Sequence, residues 1–270
     1  MYRKYTIIIF ILLALLVQGC SSAQAESAAR VEPGLSPAEV SEAFYGWYLC
    51  SFGDPAAGTF TSPLADKVYQ DSEFLTPSFV GNIDDVLAQF GEQGGYDPFL
   101  CAQDVPQEVV ADVTFLHGGQ ASVVMRTSFP NHFLTLDLQQ SSGEWKIGNI
   151  ICGFTADGTA KAFFTWYLGY IGDRASDEMR NPLVDKAYRD SGFLSKAFIQ
   201  ELDDMLAGGI PADPILMAQD IPQDFSVDPG QSEDTAVVHL QFGTETVRHL
   251  KLTMTQDLGA WKINHIELAE

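Results

Sequence analysis

The feature that most constrains this chain is that its folded part is written twice. Phe44-x-x-Trp47-Tyr48-Leu49-x-x-x-Gly53-Asp54 returns 119 residues later as Phe163-x-x-Trp166-Tyr167-Leu168-x-x-x-Gly172-Asp173. Pro63-Leu64-x-Asp66-Lys67-x-Tyr69-x-Asp71-Ser72-x-Phe74-Leu75 returns at the same offset, from Pro182 to Leu194. The offset then becomes 116, where Asp97-Pro98-x-Leu100-x-Ala102-Gln103-Asp104 recurs as Asp213-Pro214-x-Leu216-x-Ala218-Gln219-Asp220, and Trp145-Lys146-Ile147 as Trp261-Lys262-Ile263. A position kept in both copies is one that the unit needs. A position present in one copy only is dispensable for the unit's own fold.

Each copy begins with a helical period and ends with an alternating one. Ser36-Pro37-Ala38-Glu39 is a capping box with Pro at the first helical position, and Val40, Phe44, Trp47 and Tyr48 fall on one face behind it. Ser62-Pro63 and Asn181-Pro182 start a short second helix, Thr76-Pro77 and Ser195 a third, and Asp97-Pro98 and Asp213-Pro214 about one further turn. Beyond Gln107 the pattern predicts strands over 109–116, 120–129, 132–139 and 144–151, and in the second copy over 225–227, 235–242, 247–256 and 260–268. Short turns between them predict an antiparallel meander with one apolar face under the helices, an α+β layer fold. The expected boundaries are 37–153 and 154–270. So short a link predicts an internal pseudo-dimer of touching copies.

Helices followed by a curved antiparallel four-stranded sheet ending in Trp-Lys-Ile resemble the nuclear transport factor 2-like superfamily. The Phe-x-x-Trp-Tyr-Leu opening and the Asp-Pro-x-Leu-x-Ala-Gln-Asp block are similar to the bacterial envelope family known as domain of unknown function 3828. The resemblance covers both copies. It implies a conical pocket between helices and sheet, in a superfamily that hosts enzymes, binding modules and dimerisation domains alike.

Residues 1–19 carry Arg3 and Lys4, then an apolar run from Ile7 to Val17, too short to span a bilayer but suited to a secretory signal. Val17-Gln18-Gly19-Cys20 resembles a bacterial lipobox, which implies cleavage before a lipidated Cys20. Residues 20–36 then form a small, polar tether with a reach of roughly 20 Å. Anchorage in the cell envelope is expected, and Ser21 implies the outer membrane, periplasmic side, in a diderm host. Loss of Arg3 and Lys4 takes the net charge from −21 to −23, which opposes nucleic acid phosphates and argues against a nucleic acid partner. Cys50, Cys101 and Cys152 are left as an odd set with three pairings open and Gly169, Met217 and Leu268 at the matching places. A disulfide is therefore optional for the fold, and the spacing does not suit zinc.

The candidate binding residues are those shared by both copies. Trp47, Tyr48 and Tyr69, with Trp166, Tyr167 and Tyr188, can line a pocket for a small apolar or aromatic ligand, or else form core. Gln103-Asp104 and Gln219-Asp220, with Asp97 and Asp213 nearby, can serve as a general base beside an amide, or else close a turn. Asp66-Lys67 and Asp185-Lys186 read as local ion pairs, Asp84-Asp85 and Asp203-Asp204 as a solvated acidic face. The five histidines align by offset with Glu233, Arg248, Val123, Phe133 and Asn149, so none is shared. No phosphate loop, nucleophile elbow or metal motif is present, and no cofactor or metal is expected. The expectation is a non-enzymatic module that binds a small molecule or an envelope protein. The alternatives are a pocketed isomerase- or dehydratase-like enzyme with Asp104 or Asp220 as base and Tyr48 or Tyr167 as donor, and a structural spacer.

Overall fold

A computed structural model describes residues 34–53, 58–90, 95–172, 180–209 and 211–269. The expected signal peptide, Cys20 and most of the tether lie outside the described residues.

The first half runs α1 (Pro37–Cys50), a 3-10 turn (Val68–Asp71), α2 (Pro77–Phe90), then β1 (Val109–His117), β2 (Gln120–Thr127), β3 (Phe133–Ser141) and β4 (Glu144–Cys152). The second runs α3 (Ala156–Ile171), a 3-10 turn (Ala187–Arg189), α4 (Lys196–Gly208), then β5 (Asp224–Pro229), β6 (Thr235–Phe242), β7 (Thr246–Asp257) and β8 (Ala260–Leu268). Each half is α+β, with a four-stranded antiparallel sheet whose strands lie in chain order. The caps act as their sequences require. Ser36 and Glu39 make a reciprocal capping box, Thr76 Oγ1 accepts from the Phe79 amide at 3.2 Å, and Ser195 Oγ from Phe198 at 3.1 Å.

The Asp-Pro blocks form closed turns, where one turn of helix was expected. The amide of Asp97 donates to Ala102 O at 2.8 Å, and that of Asp213 to Ala218 O at 2.9 Å. Cys101 and Met217 have φ of +52° and +48°, a left-handed conformation that stops a right-handed helix. Trp-Lys-Ile recurs for a backbone reason. Ile147 is fully buried in β4, and its amide and carbonyl pair with Phe74 O at 2.8 Å and Thr76 N at 2.9 Å, the segment leading into α2. Ile263 does the same with Phe193 and Ser195, at 2.9 Å each.

Of the three cysteine pairings open to the sequence, the fold forms Cys101–Cys152, which ties the Asp97 turn to the end of β4. No described cysteine is free, so the expected spare thiol is absent among them. At the matching places Met217 packs against the core of the second half and Leu268 is exposed.

The two halves share a core because α3 serves both. Its inner face packs on β5, β6 and β8, and its outer face on β1, β2 and β3 of the other sheet. Twelve of its sixteen residues are buried, whereas α1, solvated on one side, buries seven of fourteen. Phe115 on the outer face of the first sheet meets Phe225 at 5.8 Å between ring centroids, and Phe225 meets Phe164 of α3 at 5.9 Å. Phe133 meets Phe193 edge-on at 4.9 Å, with Arg126 over the same Phe193 ring at 5.1 Å. Arg126 also donates to Ser191 O at 2.8 Å. The contact is head-to-tail: the outer face of one sheet receives the first helix of the next unit, and the second sheet does not receive α1 in return.

Gly169 permits that approach, because a Cβ there would lie 2.7 Å from Thr114 O and 2.8 Å from Val113 Cγ2. Gly46 of α1 faces open space. Both replacements by Ala gain about 1 kcal/mol of helix propensity, but at Gly169 the backbone clash costs about 1–3 kcal/mol. We expect Gly46→Ala to raise the urea midpoint and Gly169→Ala to lower it.

Candidate functional site

The aromatic candidates all lie inside. Tyr48, Tyr69, Tyr167 and Tyr188 are fully buried, and Trp47 and Trp166 nearly so. In the first half they close around Phe99, whose ring centroid is 4.9 Å from that of Tyr48, 5.3 Å from Tyr69 and 5.7 Å from Phe44. Ile215 takes the place of Phe99 in the second half and is also fully buried. These side chains fill the space between helices and sheet with each other, so they form core and do not line a ligand cavity.

Each of these four tyrosine hydroxyls is then obliged to find a partner, and in all four that partner is an aspartate, whereas the buried Tyr45 donates to Phe99 O at 2.8 Å. Tyr48 Oη donates to Asp97 Oδ2 at 2.7 Å, and Tyr167 Oη to Asp213 Oδ2 at 2.6 Å. The other oxygen of each carboxylate accepts two backbone amides of its own turn, Phe99 and Leu100 at 2.8 and 3.2 Å, Ile215 and Leu216 at 2.8 and 2.9 Å. Burial pushes both carboxyls above the ordinary carboxylate value, opposed in each by three hydrogen bonds, from the tyrosine hydroxyl and the two amides. Burial first, and the neighbouring carboxylate second, push Tyr48 and Tyr167 far up, so both stay protonated donors.

A second pair lies nearer the surface. Tyr69 Oη donates to Asp84 Oδ1 at 2.6 Å, and Tyr188 Oη to Asp203 Oδ1. The tyrosine hydrogen bond chiefly holds each of these carboxyls below its usual value. This corrects two expectations. Asp84 and Asp203 are tyrosine acceptors, whereas a plain solvated face was expected. Lys67 pairs with Asp84 at 3.4 Å, across seventeen residues, whereas Asp66 beside it was the expected partner. The left-handed φ of Lys67 and Lys186 turns each away from its neighbour.

Gln103, Asp104, Gln219 and Asp220 are exposed. The enzymatic arrangement of Asp104 or Asp220 with Tyr48 or Tyr167 is therefore not assembled: the tyrosines serve Asp97 and Asp213, and the exposed aspartates stand in solvent. In the second half Gln219 and Asp220 form the ridge between two open hollows of about 650 and 620 Å³. Arg248, stacked over Phe242 at 5.6 Å, lies in one, and Arg180, over Tyr170 at 4.3 Å, in the other.

Sequence reasoning passed over a third constellation, at the junction of the halves. Asp224 Oδ1 is 3.0 Å from His117 Nδ1, and His117 Nε2 is 3.4 Å from Ser122 Oγ. Ser122 Oγ donates to Asp137 Oδ1 at 2.6 Å, and Lys161 Nζ of α3 lies 3.1 Å from the same oxygen. Burial would raise the Asp224 carboxyl, but the hydrogen bond and charge of His117 and the Phe225 amide hold it below its usual value. The order Asp, His, Ser is that of a hydrolytic relay, yet the serine proton goes to Asp137 and not to His117. Ser122 is also fully buried, so its Oγ meets no substrate. The network binds β1 and β3 of one half to α3 and β5 of the other.

Among the described residues no group of three or more His, Cys, Asp or Glu is arranged to hold a metal ion, and no helix is long and apolar enough to cross a membrane. Compared with known proteins, the chain matches no family model and no curated protein.

Tyr48→Phe leaves the buried Asp97 carboxylate short of one donor, and we expect it to cost about 1–3 kcal/mol. Asp97→Asn keeps an oxygen to accept the two backbone amides and removes the buried charge, so a double-mutant cycle should show coupling between the positions. The raised Asp97 and Asp213 carboxyls bind protons more tightly in the folded chain than in the unfolded one. Their contribution is therefore fully present below the ordinary carboxylate value and is lost as pH rises through the raised one. Asp97→Asn with Asp213→Asn should remove that part of the slope in urea titrations carried out as pH rises above the ordinary carboxylate value.

Proposed function

We propose that the chain is a lipid-anchored protein of the bacterial cell envelope, with two tandem nuclear transport factor 2-like units, that binds a partner without catalysing a reaction. The observation that carries this reading is the division of the shared residues. The aromatic set that would line a reaction chamber is packed solid, and the shared Gln-Asp pairs stand on the outside, in the second half at the rim of two open hollows. Catalysis draws on a desolvated, water-excluding site, whereas docking needs an exposed patch with anchoring groups. Arginine and aromatic side chains, as found around Gln219 and Asp220, are the residues enriched at the centre of such patches. The expected lipobox at Cys20 supplies the anchor, and the Cys101–Cys152 disulfide agrees with an oxidising compartment outside the cytosol.

The test is site-specific cross-linking of the full chain in its native host. A photoreactive residue at position 219 should give one discrete adduct with an envelope protein, lost on Asp220→Arg, while the same residue at position 103 reports whether the first half takes part. Absence of an adduct from both positions, or turnover of a small molecule that depends on Asp104 or Asp220, would overturn the proposal.

A further inference from the structure

The outer face of the second sheet carries a pair of histidines that nothing else in the fold explains. His239 of β6 and His249 of β7 are ten residues apart in sequence, but the antiparallel register sets them directly opposite each other. Residues so placed have Cβ atoms about 5 Å apart and side chains on the same face. Their Nδ1 atoms are 2.5 Å apart, and the rings meet nearly edge to face, at 79°. Asp228 of β5 takes the remaining nitrogen of His239, with Oδ2 3.0 Å from Nε2.

The two halves can be compared at this point through their strand registers. Leu136 and Leu252 are equivalent, and they stand opposite Val123 and Ala236. His239 opposite His249 is therefore the counterpart of Arg126 opposite Phe133, three residues away from the alignment with Val123 that the repeat offset gave. In the first half that place is used for docking: Arg126 and Phe133 both hold Phe193 of the second half. In the second half the place is solvated, with His249 exposed and His239 partly so. The histidines thus serve neither a core nor an interface among the described residues.

From this geometry we infer that His239 and His249 form a binding site for a divalent transition-metal ion of the imidazole-preferring kind, zinc, copper(II) or nickel. Asp228 accepts the Nε2 proton of His239, which leaves the Nδ1 lone pair directed at His249. A carboxylate behind a ligating histidine is the usual second partner that fixes tautomer and orientation. Two nitrogens that close cannot both present lone pairs to each other; a proton or a cation has to stand between them. Two ligands at about 2.0–2.1 Å from a tetrahedral ion lie roughly 3.3 Å apart, so the rings must part by less than 1 Å, which the exposed His249, on its own strand, can do. The adjoining hollow, about 820 Å³ and lined also by Lys251 and Glu267, leaves room for water to complete the coordination. Lys251 is neutralised by Glu267 at 2.9 Å, and the chain's net charge of −21 favours a cation. The site is independent of the docking reading above.

Calorimetric titration of the full chain with zinc chloride tests it, together with the EPR spectrum after addition of one equivalent of copper(II). The expected result is one site per chain, with hyperfine structure from two imidazole nitrogens. Asp228→Asn should weaken it by about 10–100-fold. His239→Ala should abolish it, and His249→Phe, which installs the residue found at the matching place of the first half, should do so in a folded chain. Saturable binding of equal affinity in wild type and in His249→Phe, or no binding by wild type, would overturn the inference.

Discussion

Helix α3 is the element on which the rest of the molecule depends, because two sheets compete for one helix and both are satisfied. Burying a large apolar side chain contributes about 1.5–3 kcal/mol, and α3 buries Phe163, Phe164, Trp166, Tyr167 and Leu168 within six residues. Such a helix cannot remain exposed on one side as α1 does. The differences from α1 follow. Where α1 has Glu39, Glu42 and Cys50, α3 has Gly158, Lys161 and Gly169. Gly169 admits the backbone of β1, and the Lys161 ammonium both reaches Asp137 and lies 4.7 Å from the centre of the Phe225 ring. The charge at this one position is reversed between the helices, because Glu42 accepts the Ala111 amide of β1 at 3.0 Å whereas Lys161 meets a carboxylate.

A head-to-tail contact of this kind is not closed by symmetry. It uses the outer face of the first sheet and the outer side of α3, and it leaves the outer face of the second sheet and the outer side of α1 for other purposes. The second sheet's free face is where the histidine pair lies. The ridge of Gln219 and Asp220 is likewise on the half whose surroundings remain open. The two halves have therefore become different in role while keeping one internal plan.

That plan was largely legible in the sequence. Capping residues set the starts of α1, α2 and α4, and alternation set the strands, because both signals are local and were stated twice. The Tyr–Asp pairs were only half legible. Tyr48 and Tyr167 are conspicuous in the sequence, but nothing local says which carboxylate answers them, and Asp97 and Asp213 stand out less there than Asp104 and Asp220 beside their shared glutamines. Asp97 and Asp213 take the role because a carboxylate at the first position of the turn can cap two amides and still face the core. The junction network was hidden for a reason built into the comparison itself. Residues that join two copies end to end are used once by each, so His117, Asp137, Lys161 and Asp224 could not appear as shared positions. The pairing of His239 with His249 was hidden by compensating length changes: the second half is three residues shorter ahead of β6 and three longer across the β6–β7 turn.

The sequence by itself determined the α+β class, the two-unit plan and the residues that each unit must bury, since these follow from periodicity and from repetition. Only the tertiary structure decided which cysteines pair, which aspartate answers which tyrosine, and that α3 lies between two sheets. Those outcomes depend on the distance between residues far apart in the chain, and that distance is set by how sheets and helices stack.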